Sequence, residues 1–225
     1  MFKKKHHKIS YSQSGEDLII QFIFNALGVK KPTYIDIGAH HPFYLSNTAI
    51  FYKKGCCGIC VEPDPYLFKY IKKNRKNDIC LNIGIGGKAS EEADFYMMSA
   101  PTLNTFSKED ALNYEKNSNY KINKVIKLPL QDINCIFESY LNGHPDFVNI
   151  DVEGLDFEIL KSLDFERFRP SVLCIETLKF IRDGVEEKDQ ILINFVIEQG
   201  YMVYADTYMN TIFVNEDDWK RRSGI

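Results

Sequence analysis

Polar, mostly acidic side chains stand at the ends of several short apolar segments in this 225-residue sequence. If these segments are parallel strands of one sheet, their carboxyl ends meet at one edge, where the ligands of open α/β sheets bind. Carboxylates that gather in one cleft need a cation, a metal, or bound hydroxyl and ammonium groups to balance them. In chain order, the segments end in Asp36, Glu62, Asn82, Asp151 with Glu153, and Glu176.

Asp36 and Glu62 have the arrangement of a nucleoside-binding pair. They are about 25 residues apart, roughly the distance at which a dinucleotide fold places its ribose acid. Gly38 allows a ligand to approach the backbone closely, and a carboxylate at the position of Glu62 can bind both ribose hydroxyls. The Gly-x-Gly-x-x-Gly turn, which passes a pyrophosphate over a helix N-terminus, is absent from the sequence. An adenosine ligand without phosphates therefore fits better, and S-adenosylmethionine is such a ligand.

The elements that must position these side chains alternate between strand and helix. This alternation predicts right-handed crossovers and a mostly parallel sheet with helices on its faces, so the expected fold class is α/β. Core strands are predicted at 33–37, 58–61, 79–83, 147–151 and 172–176, and a closing hairpin at 201–204 and 211–214. A first helix is predicted between a Ser14 cap and Gly28, and further helices at 47–54, 65–73, 133–141, 157–163 and 188–199.

The middle of the chain is less regular. Strand candidates at 93–97 and 125–128 flank a polar, Asn-rich stretch at 103–121, in which one short helix is predicted. Tyr114 and Tyr120 make this stretch a candidate lid over the acceptor, because aromatic rings stack on the faces of sugars. The alternative is a plain surface loop.

The composition is that of a globular chain. A net charge of -3 argues against broad nucleic-acid binding, which needs an excess of Lys and Arg. No apolar run approaches the roughly 20 residues that span a bilayer, and polar residues follow the basic start where a signal peptide would be apolar. We expect a cytoplasmic protein with a basic arm at 1–10 and a single domain at 11–225. The six cysteines are interpreted as small buried hydrophobes, because the cluster at 56–60 lacks the second pair of a zinc site.

Several short motifs together resemble the FkbM family of S-adenosylmethionine-dependent methyltransferases. They are Ser-Gln-Ser-Gly-Glu-Asp at 12–17, Tyr-Ile-Asp-Ile-Gly-Ala-His-His-Pro at 34–42, Ser-Asn-Thr at 46–48, Val-Glu-Pro-Asp-Pro at 61–65, Leu-Asn-Thr at 103–105 and Phe-Val-Asn-Ile-Asp-Val-Glu-Gly at 147–154. The resemblance implies a Rossmann-like class I methyltransferase fold with an antiparallel edge strand. It also implies O-methylation, commonly of sugars or secondary metabolites, and the opening motif is similar to that of proteins of bacterial surface-glycan pathways.

The same resemblance implies where S-adenosylmethionine binds. The residues implied to contact it are Asp36, Gly38, Glu62, Asn82, Gly84 and Ser46. Ser46 starts the next helix, whose N–H groups suit a carboxylate. Gln13 and Asp17 are candidates to close over the amino-acid end of the cofactor, although Asp17 could equally support its own helix N-terminus.

A hydroxyl acceptor needs a base, because it is a poor nucleophile until it loses its proton. Asp151 is the predicted base, with His41 or His40 next and Glu153 beside them. Either histidine could instead be bonded to a nearby carboxylate. The His-His-Pro turn departs from the family, in which many relatives have Asn in place of His40.

A Mg²⁺ ion is the competing mechanism, because carboxylate oxygens suit it and it can lower the pKa of a hydroxyl. Asp151 and Glu176 would be its ligands. We favour the metal-free interpretation, since Thr177, Leu178 and Lys179 follow Glu176 and supply no obvious further ligand.

Two other functions remain open. A nucleotide-sugar or NAD enzyme would also use a carboxylate after the second strand, and a non-catalytic relative would keep the fold while binding another protein. We expect a small-molecule or glycan acceptor and no nucleic-acid partner. The sequence does not indicate the oligomeric state.

Overall fold

The computed structural model describes residues 7–86, 91–141, 143–152, 154–180 and 186–222. Glu153 and most of the basic arm lie outside this part of the chain. The strands are β1 (Tyr34–Ile37), β2 (Gly58–Val61), β3 (Ile79–Leu81), β4 (Gly84–Ile85), β5 (Glu92–Met98), β6 (Ile122–Gln131), β7 (Phe147–Ile150), β8 (Val172–Glu176), β9 (Leu178–Phe180), β10 (Glu186–Lys188), β11 (Tyr201–Asp206) and β12 (Asn210–Asn215). The α-helices are α1 (Glu16–Leu27), α2 (Ala49–Lys53), α3 (Pro65–Asn74), α4 (Lys108–Asn117), α5 (Ile133–Tyr140), α6 (Asp156–Ser162), α7 (Gln190–Glu198) and α8 (Glu216–Arg221).

The centre of the molecule is a seven-stranded sheet in the order β11-β12-β8-β7-β1-β2-β3. Strands β3, β2, β1, β7 and β8 are parallel to one another, whereas β12 runs antiparallel to both β8 and β11. The predicted fold class is therefore confirmed: the fold is α/β and Rossmann-like, with a mostly parallel sheet and an antiparallel edge. The strand order reverses beside β1, so the carboxyl ends of β1 and β7 flank the crevice in which such sheets bind ligands.

Both faces of the sheet are covered because successive strand residues point to opposite sides. Ile35 and Ile37 pack with α5, α6 and α7 in the larger core cluster. Tyr34 packs on the other face with α1 and α2. All four residues of β1, β2 and β7 are buried, which explains why these strands are mostly apolar, with Asp36 and Asn149 as polar exceptions.

A second, three-stranded sheet in the order β4-β6-β5 stands beside the central one. The sequence predicted parts of β5 and β6 but neither the ten-residue length of β6 nor its pairing with both neighbours. The β9–β10 hairpin and α8 were not predicted either.

The start of α1 differs from the prediction. Gly15, in a left-handed conformation with a φ of 92°, precedes the helix, and no side chain caps it, so the assignment of Ser14 as the cap was wrong. Instead the Ser12 hydroxyl accepts hydrogen bonds from the backbone N–H groups of Gly15 and Asp17. Gly28 ends the helix as predicted, with a φ of 76°.

Two other helices begin or end at different residues than predicted. The helix predicted at 47–54 is only α2, and the one predicted from residue 188 begins at Gln190, because Lys188 belongs to β10 and Asp189 caps the helix. Within the described residues, no helix has the length and apolar character needed to cross a membrane.

Candidate active site

A cavity of about 350 Å³ opens at the carboxyl ends of the central strands. This size is within the range of small-molecule sites. Several predicted site residues line it: Gln13, Asp36, Gly38, His40, Glu62, Asp151 and Glu176. The remaining described site residues, Asp17, His41, Ser46, Asn82 and Gly84, lie outside its lining.

Gly38 brings the ends of β1 and β7 together. Its φ is 82°, and a Cβ built on it would lie 1.8 Å from the backbone oxygen of Asp151. The Asp151 N–H also donates to the Ile37 oxygen over 3.0 Å. Only glycine fits this close approach. Because the ends of β1 and β7 lie so close together, Asp36 and Asp151 line the same cavity.

Glu62 is a buried carboxylate, 5% exposed, at the end of β2. Its Oε2 accepts from the His40 N–H and its Oε1 from the Asp64 N–H, each over 2.7 Å. Burial raises the pKa of Glu62 to about 8, and although the two backbone donors oppose this shift, the charges of Asp64 and Asp36 add to it. Each oxygen retains a lone pair for a ligand donor, because a carboxylate offers about four acceptor sites.

Asp36 is held from behind by neutral donors. Asn149 donates to its Oδ1 over 2.9 Å, and the Thr48 hydroxyl donates to its Oδ2. Arg75 lies 3.7 Å from the same Oδ2. Burial raises the pKa of Asp36, and the Arg75 charge and these hydrogen bonds act in the opposite direction.

Arg75 is fully buried and extends the hydrogen-bond network that holds Asp36. Its Nε donates to Asp78 over 2.7 Å, and its other nitrogens donate to Thr48 and to the Tyr34 hydroxyl. This network was not predicted from the sequence. The signals for it were the polar Asn149 inside a buried strand and the lone Arg75 that follows an amphipathic helix, neither of which identifies a partner.

Asp151 and Glu176 form a carboxyl pair at the ends of β7 and β8. The register pairs Ile150 with Ile175, so the next residues of the two strands are neighbours. Burial raises the pKa of Asp151 to about 7, with a contribution from the charge of Asp156, whereas a hydrogen bond with the Glu176 side chain opposes the shift. A hydrogen bond between two carboxyl groups requires a proton on one of them.

The two histidines have different environments. His40 has a φ of 48°, lines the cavity, and has a pKa lowered by burial and by His41. The Nδ1 of His41 accepts from the N–H groups of Phe43 and Tyr44, over 3.1 and 2.9 Å. A neutral ring that accepts at Nδ1 carries its proton on Nε2 and has no free lone pair. The geometry therefore disfavours His41 as the base.

The segment before α1 closes one side of the cavity. Asp17 accepts from the Tyr11 N–H and from the hydroxyls of Ser10 and Ser12, so it orders this segment. Gln13 then reaches Met209 of the β11–β12 turn, its Nε2 lying 2.8 Å from the sulfur.

Two neighbouring residues anchor this segment. Glu16 is fully buried; although burial raises its pKa, hydrogen bonds from Thr207 and Asn210 bring that pKa below its usual value. The Ser46 N–H donates to the Tyr11 oxygen, while the Ser46 hydroxyl accepts from the Ala49 N–H. Ser46 thus fixes the segment and the start of α2.

Residues 101–106 form the opposite wall. The Asn104 amide donates to Asp64 over 3.0 Å and ties this wall to α3. Gly84 serves the same wall, since a Cβ there would lie 2.5 Å from the Phe106 ring. The Asn82 amide donates to the backbone oxygens of Glu62 and Pro63. Asn82 and Gly84 therefore support the cavity from outside.

Of the predicted lid at 103–121, only residues 103–106 line the cavity. Tyr114 packs beside Tyr96, Met98 and Ala111, and Tyr120 is exposed; neither lines the cavity. Among the described residues, no group of three or more His, Cys, Asp or Glu side chains is arranged to hold a metal ion. Cys56, Cys60 and Cys174 are buried as expected, but Cys57 and Cys135 are exposed.

The sequence profile of the Methyltransferase FkbM domain matches residues 36–203. No curated protein sequence matches the chain. Solved structures with a similar arrangement include an O-methyltransferase from Bacillus cereus in complex with SAH, with 11% identity, a TM-score of 0.45, and coverage of 93% of this chain and 82% of that one.

Two further structures are similar at the same level. One is precorrin-6y C5,15-methyltransferase from Geobacter metallireducens, with 12% identity, a TM-score of 0.41 and coverage of 88% and 87%. The other is a TehB-like SAM-dependent methyltransferase from Corynebacterium glutamicum, with 9% identity, a TM-score of 0.43 and coverage of 89% and 87%. With TM-scores this low, these structures indicate nothing about the acceptor of the present chain.

Proposed function

The chain belongs to the FkbM methyltransferase family, and we propose that it transfers a methyl group from S-adenosylmethionine to a hydroxyl of a sugar, surface-glycan or secondary-metabolite acceptor. The proposal is supported by one cavity at the carboxyl ends of the central strands, because Glu62, Asp151 and Glu176 all line it.

The residues present fit the cofactor. Glu62 lines the cavity and accepts one backbone hydrogen bond on each oxygen, so each oxygen can accept another from a ribose hydroxyl. Ile83 and Phe106 supply apolar walls for an adenine ring. The carboxylates of Asp36 and Asp151 favour a ligand that carries a sulfonium and an ammonium. S-adenosylmethionine supplies the methyl group and the positive charge that leaves with it.

Asp151 is the residue that takes the acceptor proton in this proposal. A pKa of about 7 is close to the operating pH, which is where a general base works best. The hydrogen bond with Glu176 keeps Asp151 oriented, while the cavity walls hold the acceptor near attack distance. His40, which also lines the cavity, is the next candidate.

A nucleotide-sugar enzyme is the second candidate function, and the lining argues against it. Among the lining residues that the structure describes, none is Lys or Arg, whereas a diphosphate needs cations or a phosphate-binding turn. A non-catalytic relative is disfavoured because the cavity retains both Glu62 and the Asp151–Glu176 carboxyl pair.

Metal dependence is tested by chelation. If Asp151 acts as the base, EDTA leaves turnover unchanged and Glu176→Gln lowers it only in part. Complete loss of turnover in EDTA, restored by Mg²⁺ or Mn²⁺, would replace the base with a metal ion held by Asp151 and Glu176.

The acceptor is identified by comparing glycans from a wild-type strain and from a strain lacking the gene. Mass spectrometry should show one methyl group missing from a defined sugar in the deletion strain. The wild-type gene should restore it, and a gene encoding Asp151→Asn should not. Unchanged glycans, together with tight cofactor binding by the purified protein, would move the acceptor to another class of metabolite.

A further inference from the structure

The outward face of α3 is made of alternating tyrosines and lysines. Tyr66, Lys69, Tyr70 and Lys73 are spaced i, i+3, i+4 and i+7, so they share one side of the helix. Tyr66 is 69% and Tyr70 47% exposed, and both lysines are exposed. Ile71, on the opposite side, is buried.

Neighbouring elements extend this face. The Tyr52 hydroxyl donates to the Asn74 oxygen, so the end of α2, with exposed Lys53, lies beside the end of α3. The His41 ring lies 5.2 Å from the ring of Tyr70 and 6.0 Å from that of Tyr44, which is 62% exposed. We call the resulting patch the Tyr–Lys surface: Tyr44, Lys53, Tyr66, Lys69, Tyr70 and Lys73.

The exposed charges of this surface are all positive. Between residues 53 and 77, all of which the structure describes, every exposed charged side chain is a lysine. The acids of this stretch, Glu62 and Asp64, are buried. The chain as a whole carries a net charge of -3, so this region differs from the rest of the molecule in sign.

We propose that the Tyr–Lys surface binds the surface of an anionic lipid bilayer. Tyrosine rings suit the headgroup level of a membrane, and each lysine near an anionic leaflet adds attraction. The exposed cations are all Lys, whereas bases and phosphates in nucleic acids are read preferentially by the planar fork of Arg. A diffuse attraction to a charged plane therefore fits this surface better than recognition of a nucleic acid.

The surface adjoins the cavity. His40 and Leu45, the chain neighbours of His41 and Tyr44, line the cavity wall. Docking through the Tyr–Lys surface thus holds the cavity beside the bilayer. This inference does not depend on the acceptor proposed above.

Vesicle flotation with the full chain tests the proposal. The protein should float with vesicles of phosphatidylcholine and phosphatidylglycerol and not with phosphatidylcholine alone, and flotation should weaken as salt is raised from 0.05 to 0.5 M, because salt screens surface charge. The double variant Lys69→Glu/Lys73→Glu should lose roughly tenfold or more in affinity. Tyr66→Ser should lose less.

Lys116→Glu/Lys124→Glu is the matched control, with the same charge change at exposed lysines of α4 and β6. It should float like the wild type, and all variants should bind S-adenosylmethionine equally, which shows that they are folded. The proposal is overturned if anionic vesicles fail to float the protein or if both double variants lose equally. Binding of a single-stranded oligonucleotide that depends on Lys69 and Lys73, without flotation, would overturn it in favour of nucleic acid.

Discussion

At the scale of single residues, the chemistry depends on carboxyl groups that are buried at the cavity. Glu62 and Asp151 both have raised pKa values, and burial is the largest cause for each. A ligand that donates hydrogen bonds to such a group, or carries positive charge, binds its ionised form and releases a proton. Cofactor binding should therefore be linked to pH.

The affinity for S-adenosylmethionine should rise as pH increases from 6 to 8 and level off above it. Below the pKa of about 8 the free protein holds a proton on Glu62 that the ribose hydroxyls must displace. Isothermal titration across this range measures the slope. In Glu62→Gln the affinity should be lower and this dependence weaker, and an equal slope in both proteins would assign the linkage to another group.

Asp151→Asn should reduce turnover by at least about 100-fold, the usual contribution of a general base. The substitution keeps the shape of the side chain but cannot take a proton. The affinity for S-adenosylmethionine should change little, which separates a base from a cofactor ligand. Turnover close to that of the wild type, measured with the identified acceptor, would exclude this role and direct attention to His40.

At the scale of elements, the cavity exists because β1 and β7 approach closely where they end. Gly38 makes this approach, since any side chain there would overlap the Asp151 backbone. Gly28 has a similar φ of 76° at the end of α1, but a Cβ there would meet nothing within 4 Å. Substitutions at Gly28 and Gly38 therefore distinguish the energetic cost of backbone strain from that of steric overlap.

Gly28→Ala should lower the free energy of unfolding by about 1–2 kcal/mol, the cost of a left-handed alanine. Gly38→Ala should cost at least about 2 kcal/mol more, because the backbone of β7 must move. Urea unfolding measures both. Equal losses in the two variants would mean that the β1–β7 approach is loose and that Gly38 does not shape the cavity.

The sequence predicted those elements whose signal is local. Buried strands such as β1 and β7 are short, mostly apolar segments, and the residues that follow them reach the cavity because parallel strands end together. The Asp36 network was not predictable in this way, since Asn149 lies 113 residues from Asp36 and Arg75 contacts residues of several elements. The pairing of β6 with β4 and β5 is likewise set by tertiary contacts.

At the scale of the whole molecule, buried carboxyls at several elements make stability depend on pH. The pKa values of Glu62, Asp151 and Asp156 are raised to about 8, 7 and 6. Between its unfolded and folded pKa, each group binds more protons in the folded state, so its contribution to stability falls as pH rises. His40 and His41 have lowered pKa values and act in the opposite direction below about 6.5.

The Tm of the cofactor-free protein should therefore fall between pH 6.5 and pH 8, where Glu62 and Asp151 lose their protons. S-adenosylmethionine should raise the Tm more at pH 8 than at pH 6.5. Differential scanning fluorimetry with and without the cofactor measures both effects. A Tm that rises over this interval without cofactor would show that these carboxyls are ionised in the free protein.

The most direct test of the account is the affinity of Glu62→Ala for S-adenosylmethionine, measured by isothermal titration. Hydrogen bonds to a charged acceptor contribute roughly 1.5–3 kcal/mol each, so binding should weaken at least tenfold. The matched control Glu92→Ala, at an exposed glutamate of β5, should bind like the wild type. A folded Glu62→Ala protein with unchanged affinity would contradict the placement of the cofactor in this cavity.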